Sequence, residues 1–166
     1  MSPRRVDARS RYYLGFALLA ALQFYVRPRV WDDRTAPDFL FLALMLIAVR
    51  ARPGVAAAAG FLIGIVNDVL TPASFGAGAL AHTVVGYLTA LGRSVFFPDN
   101  LLVNAALFGG GVWVRDALVL LASRTPSGEL TTGLLVWSPL QALSTAVAGG
   151  LLLLAFRDWF AIRLET

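Results

Sequence analysis

The sequence contains no cysteine and no lysine, and it has few charged residues of any kind. Without cysteine there can be no disulfide, no thiol nucleophile and no thiolate metal site. Charged residues make up 14% of the 166 positions, whereas an average soluble domain has roughly 25%. With 58% hydrophobic residues and a mean hydropathy of +0.71, a water-soluble core could not absorb the apolar surface. The composition therefore predicts an integral membrane protein with no separate soluble domain.

The positions of the arginines and the lack of visible catalytic motifs exclude further classes of function. All 14 basic residues are arginine, and the net charge is +4. These arginines stand mostly at the ends of apolar segments, where membrane topology explains them, so we expect no nucleic-acid partner. No nucleophile-and-base set, glycine-rich phosphate loop or HExxH helix is visible, and one histidine among scattered carboxylates lacks metal-ligand spacing. The sequence therefore predicts no enzymatic activity, no cofactor and no metal.

Apolar stretches divide the chain into six predicted helices, which favours an all-α, polytopic membrane bundle. The second stretch has only eleven residues between Asp38 and Arg50, fewer than the roughly 20 needed to span a bilayer. It is a short tilted span, a span extended by the snorkelling Arg50 side chain, or a segment that crosses only part of the membrane. The arginine-rich start resembles a signal peptide, but five later apolar segments favour a retained first helix. The segments are 12–27, 37–49, 54–71, 77–92, 100–122 and 133–156.

The positions of the arginines predict the orientation of these helices. If the N-terminus is cytoplasmic, nine arginines fall on the cytoplasmic side and four on the outer side. Cytoplasmic loops carry the excess of basic residues, so both termini are predicted to be cytoplasmic. This gives a cytoplasmic arm at 1–11, a six-helix transmembrane domain at 12–160 and a cytoplasmic tail at 161–166.

Small residues recur at four-residue steps in two of the predicted helices. Ala56, Gly60, Gly64 and Asp68 fall on roughly one face of the third helix. Ala17 and Ala21 have the same spacing in the first helix. Small residues let helices approach closely in lipid, either within one bundle or between proteins. We therefore predict helix packing or partner binding at Ala17, Ala21, Gly60 and Gly64.

Six polar residues within or beside the apolar segments fall in the outer half of the predicted topology. Polar groups inside a membrane are costly, so they usually face the bundle interior and pair with one another. One interpretation is structural: Arg115 pairs with one of three aspartates, and the histidine and glutamine complete hydrogen bonds. The other is a small polar cavity that opens outward and accepts a ligand or a polar anchor of a partner. The residues are Asp38, Asp68, His82, Arg115, Asp116 and Gln141.

Several short motifs occur in an order that resembles the MreD family of rod shape-determining proteins. The likeness covers nearly the whole chain in length and number of predicted helices, but its distinctive residues lie between Pro37 and Leu88. They are Pro37-Asp38-Phe39-Leu40, the run from Gly60 to Asp68, Ser74-Phe75-Gly76, Leu80 and Gly86-Tyr87-Leu88.

The resemblance implies a multi-pass protein of the bacterial inner membrane that belongs to the machinery for cell-wall elongation. It implies a non-enzymatic scaffold that associates with an MreC-type membrane protein. Through that partner it would join the MreB filament, the cell-wall glycan polymerase and its transpeptidase. Arginines on the cytoplasmic side would lie near anionic lipid or acidic partner residues.

A second resemblance implies a different function. MreD-like chains are similar in plan to the substrate-binding S components of energy-coupling-factor vitamin transporters. These have six helices, an outward-facing pocket and an Ala-xxx-Ala coupling face on the first helix, a spacing that Ala17 and Ala21 fit. However, vitamin pockets usually gather several aromatic and polar groups from outer loops. The loop between the third and fourth segments is short, with Phe75 as its one aromatic residue.

Overall fold

A computed structural model describes residues 8–30, 32, 34–96 and 101–155, and this part of the chain is helical without any strand. The prediction of an all-α protein is confirmed for these residues. The described residues form six helices, of which the first and last each contain a five-residue π-helical turn. We number them α1 (Ala8–Ala21, π-turn Leu22–Val26, Arg27–Val30), α2 (Phe39–Ala48), α3 (Pro53–Leu70), α4 (Ala77–Phe96), α5 (Leu101–Ala122) and α6 (Ser127–Thr132, π-turn Gly133–Trp137, Ser138–Ala155).

The short helix α2 lies at the centre of the bundle. Nine of its ten residues are buried, including the side chains of Phe41 and Leu42. Glycines on the neighbouring helices make room for these two side chains, because a methyl group on Gly111 or Gly149 would press against them. Ten residues extend about 15 Å at 1.5 Å per residue, about half the thickness of a bilayer core. A helix that is apolar on every side is a buried helix, and α2 fits that description.

Helices α3 and α4 form the closest pair among the described helices. Their contact includes Ala56, Gly60, Gly64 and Asp68, which we call the small-residue ladder. They run antiparallel, so that Ala56 opposes Gly86, while Gly60 and Gly64 oppose His82 and Ala79. A methyl group at Gly60 would overlap the backbone carbonyl of His82. At Gly64 it would overlap the backbone of Ala79. The spacing of small residues thus permits contact between the two backbones.

Large apolar side chains cover much of the outer surface of the bundle. Leu102 is 78% exposed and Leu135 is 70% exposed, and many other leucines and valines on the outer helix faces are also exposed. Within the part of the chain that the structure describes, two helices, Leu101–Ala122 and Ser127–Ala155, are long and apolar enough to cross a membrane, and three others are shorter apolar helices. A surface of this kind suits lipid better than water.

The boundaries of the predicted domain differ slightly from the helix bounds. Helix α1 begins at Ala8, within the stretch predicted as an arm at 1–11. Residues 1–7, the end of the domain beyond 155 and the predicted tail at 161–166 lie outside the described part of the chain.

Candidate functional site: a polar cavity at one end of the bundle

The start of α2 is held by polar side chains from three other helices. The Asp38 carboxylate accepts a hydrogen bond from the Phe41 N–H at 2.8 Å and caps the helix. The Phe39 N–H donates to Gln23 Oε1 of α1 at 3.0 Å. The Asp38 N–H donates to Thr145 Oγ1 of α6 at 3.1 Å. Because buried backbone donors need partners, these side chains permit a helix to begin in the interior of the bundle.

Arg115 of α5 forms the fourth attachment to this segment. Its Nη1 lies 3.0 Å from Asp38 Oδ2. Its Nε lies 3.0 Å from Asp116 Oδ1, near enough for an ion pair although not aligned as a hydrogen bond. Its Nη2 donates to Gln141 Oε1 at 3.3 Å. The Arg115 guanidinium thus contacts two carboxylates, those of Asp38 and Asp116.

Gln141 of α6 completes this connection. Its amide nitrogen donates to the Ala36 carbonyl at 3.2 Å while its amide oxygen accepts from Arg115. The chain just before α2 is therefore linked to α6 by Gln141, as α2 itself is linked to α5 by Arg115. Both contacts are partly or fully buried, so they fix where the irregular backbone before α2 lies.

Asp68 caps a neighbouring helix, whereas Asp38 caps its own. Its carboxylate accepts hydrogen bonds at 2.9 Å from the N–H groups of Gly76, Gly78 and Ala79. These donors lie at the start of α4, where N–H groups lack partners within the helix and a negative charge is favourable. A methyl group at Gly78 would overlap the Asp68 carboxylate, and Gly76 has a φ of 95°, which favours glycine. The last member of the ladder is thus the cap of the opposite helix.

His82 is buried beside this cap. Its Nδ1 lies 2.8 Å from the Gly78 carbonyl, an atom that can only accept, so Nδ1 carries the proton. Its Nε2 is then an acceptor and lies 3.5 Å from the Asn67 amide nitrogen. The ring also meets Phe41 of α2 edge-on, with centroids 6.1 Å apart. His82 therefore ties α4 to both α3 and α2.

These groups border a cavity of about 560 Å³ at the end of the bundle where the connections after α1 and α3 lie. We call it the polar cavity. Five of the six predicted polar residues line it, while Asp116 lines a neighbouring groove of about 700 Å³ between α5 and α6. Among the lining residues of the polar cavity are Gln23, Arg27, Asp38, Asn67, Asp68, Thr71, Ser74, His82, Arg115 and Gln141.

Gln23 and Asn67 are two of the lining residues that were not among the predicted polar residues. Each stands inside an apolar segment, the same signal that identified Gln141. Gln23 lies in the π-turn of α1, and such turns re-aim side chains and often occur at functional sites. The chemical capacity of the cavity is to bind: it presents amides, hydroxyls, arginines and carboxylates. No group of three or more metal-ligating side chains comes together in the described part of the chain.

The four predicted packing residues divide between the inside and the outside of the bundle. Gly60 and Gly64 are buried against α4. Ala17 and Ala21 are exposed on the outer face of α1. The first pair lies within the protein, and the second faces its surroundings.

Comparison with known proteins identifies a family for the chain. The family model described as rod shape-determining protein MreD matches residues 10–157, which is most of the chain. No curated protein and no solved structure shows a significant match. The comparisons therefore lend no support to a vitamin transporter, and Phe24 is the one Phe, Tyr or Trp side chain among the described residues that line the polar cavity.

Proposed function

The chain belongs to the MreD family of rod shape-determining membrane proteins, and we propose that it is a non-enzymatic scaffold that docks an MreC-type partner. Membership places the protein in rod shape determination. The proposal adds the mode of action: the bundle presents a rigid, preformed polar cavity to a membrane-proximal segment of the partner. Through that partner the protein would join the MreB filament, the glycan polymerase and the transpeptidase.

The observation that carries this proposal is the polar cavity at one end of an otherwise apolar bundle. Its walls are held by contacts between α1, α2, α4, α5 and α6, so the cavity needs little reorganisation to receive a ligand. Preorganised sites of this kind bind with a smaller entropic cost than flexible ones. The exposed groups at its rim, Thr71 among them, offer hydrogen bonds to polar atoms of a docking segment.

The small residues of α3 and those of α1 have different roles in this proposal. Gly60 and Gly64 are occupied by α4, so they serve the bundle itself. Ala17 and Ala21 on the outer face of α1 are available to a transmembrane helix of the partner. We propose that this face packs against that helix while the polar cavity receives its polar anchor.

We propose an orientation in the bacterial inner membrane with both termini in the cytoplasm and six crossings, of which the second is made by the short helix α2 together with the chain on either side of it. The arginine distribution supports it. The polar cavity then opens to the outer side, where the cell wall is built. The arginines at the opposite end, such as Arg50 and Arg52, lie at the cytoplasmic surface near anionic lipid.

The test is co-purification with an MreC-type partner after the cavity is blocked. Ser74 lines the polar cavity, and Ser74→Trp should fill part of it and lower the yield of the complex. Ser127→Trp is the matched control, because Ser127 is exposed at the start of α6 and is absent from the lining of both the cavity and the groove. Thermal unfolding of each purified variant checks that the bundle itself is intact.

The outcomes separate the alternatives. A complex yield that falls with Ser74→Trp but not with Ser127→Trp supports docking at the cavity. If Ser74→Trp binds the partner normally while Ala17→Leu with Ala21→Leu abolishes binding, docking at the cavity is wrong and the α1 face alone is the interface. A chain that stays monomeric beside stoichiometric partner contradicts the scaffold itself.

A further inference from the structure

A second recess lies beside the polar cavity, between the two helices that are long enough to cross a membrane. It is the groove of about 700 Å³ between the second half of α5 and the first half of α6. Val119 and Gln141 line both recesses. The π-turn Gly133–Trp137 forms part of the groove wall, and the Trp113 indole N–H donates to the Leu134 carbonyl within this turn at 3.0 Å.

Charges of both signs line the groove. Asp116 lies in it, with its Oδ1 3.0 Å from Arg115 Nε. Glu129 adds a second carboxylate and is exposed at the rim. Arg34 is also exposed, and its guanidinium lies 5.0 Å from the centroid of the Trp137 ring. The groove therefore offers two carboxyl groups, one of them exposed, with one arginine beside them.

One part of the groove wall is apolar and continuous with the outer surface of the bundle. Val119, Leu120 and Gly133 line the groove itself. Leu121 and Leu135, which lie close to these residues along α5 and α6, are 62% and 70% exposed. An amphiphile could therefore enter from the side, with its chains against these leucines and its head group among the charges.

From this arrangement we infer that the groove binds a zwitterionic phospholipid with a primary ammonium, that is, phosphatidylethanolamine. The ammonium contacts Asp116 and Glu129, which can accept its three N–H donors. The phosphate contacts Arg34, held over the ring of Trp137. An anionic lipid such as phosphatidylglycerol lacks the ammonium and places its charge near two carboxylates. This inference concerns another recess and does not rest on the docking proposed for the polar cavity.

The test is native mass spectrometry of delipidated protein titrated with phosphatidylethanolamine, phosphatidylcholine or phosphatidylglycerol. We expect a single bound phosphatidylethanolamine, preferred over phosphatidylglycerol by about two- to fivefold, the scale of one exposed charge pair. Phosphatidylcholine should bind more weakly than phosphatidylethanolamine, because its quaternary ammonium has no N–H to donate. Glu129→Gln and Arg34→Gln should each lower the affinity by a similar factor. Arg52→Gln, an exposed arginine at the other end of the bundle, is the matched control and should have no effect.

Three results would overturn the inference. The first is equal binding of phosphatidylethanolamine and phosphatidylglycerol. The second is unchanged binding in both Glu129→Gln and Arg34→Gln. The third is loss of MreC-type partner binding in those two variants together with displacement of the lipid by the partner, which would make the groove a protein interface.

Discussion

Replacing Asp68 by alanine should weaken the junction between α3 and α4 without disturbing Arg115. The carboxylate accepts three N–H bonds, of which those from Gly78 and Ala79 are buried. A buried donor left without a partner costs about 1–3 kcal/mol, so two of them cost about 2–6 kcal/mol of unfolding free energy. The third donor, on Gly76, is only partly buried, and water from the cavity can replace its partner.

The assay is reversible unfolding in mixed detergent micelles, measured for Asp68→Ala, Asp68→Asn and the double variant Asp68→Ala with Arg115→Ala. Asp68→Asn keeps one acceptor oxygen in nearly the same shape and should lose less stability than Asp68→Ala. Because Asp68 is engaged with α4, the effects of Asp68→Ala and Arg115→Ala should add. Amide hydrogen exchange should also become faster at residues 76–79 in Asp68→Ala.

Two results would refute this reasoning. If Asp68→Ala costs less than about 1 kcal/mol, the three N–H bonds do not carry the junction. If Arg115→Ala restores the stability lost in Asp68→Ala, the two residues form an ion pair, and Asp68 belongs to the Arg115 network and not to the cap of α4.

Two further predictions concern the ladder and the centre of the bundle. Gly64→Leu should prevent the close approach of α3 and α4 and abolish the folded bundle in a thermal unfolding assay. Gly110→Leu is the control and should be tolerated, because there is open space at its Cβ position. Equal thermal stability of the two variants would contradict the packing of α3 against α4. Asp38→Ala leaves the buried Phe41 N–H without its acceptor and should cost about 1–3 kcal/mol of unfolding free energy, while Asp116 still pairs with Arg115. A double-mutant cycle should give measurable coupling between Asp38 and Arg115; additive effects would show that the 3.0 Å contact contributes little.

The apolar runs of the sequence, and the proline, glycine and arginine residues between them, predicted the helices well. The segment 54–71 corresponds to Pro53–Leu70, and 100–122 corresponds to Leu101–Ala122. Such agreement is expected because apolar runs separated by proline, glycine and arginine mark helices directly. The likeness to the MreD family, stated from short motifs between Pro37 and Leu88, is confirmed by the family model.

Reasoning from the sequence identified the polar residues within the apolar segments but could not determine which of them contact one another. Asp38, Asp68 and Asp116 were equal candidates for Arg115, since all three fall in the same half of the predicted topology. In the structure, Arg115 contacts Asp38 and Asp116, whereas the Asp68 carboxylate accepts hydrogen bonds at the start of α4. The choice depends on the relative rotation and register of four helices, which hydrophobic periodicity does not define.

The amino-acid sequence by itself determined that the protein is helical, apolar and built from six segments, because these features follow from local composition and spacing. Only the tertiary structure decided that α2 is the interior helix, that Gly60 and Gly64 serve the contact with α4, and that five polar residues meet at one cavity. Lipid chains are about as apolar as leucine side chains, so hydropathy is the same for a helix that faces lipid and one that faces protein. The difference between them lies in what surrounds each helix, and packing alone specifies that.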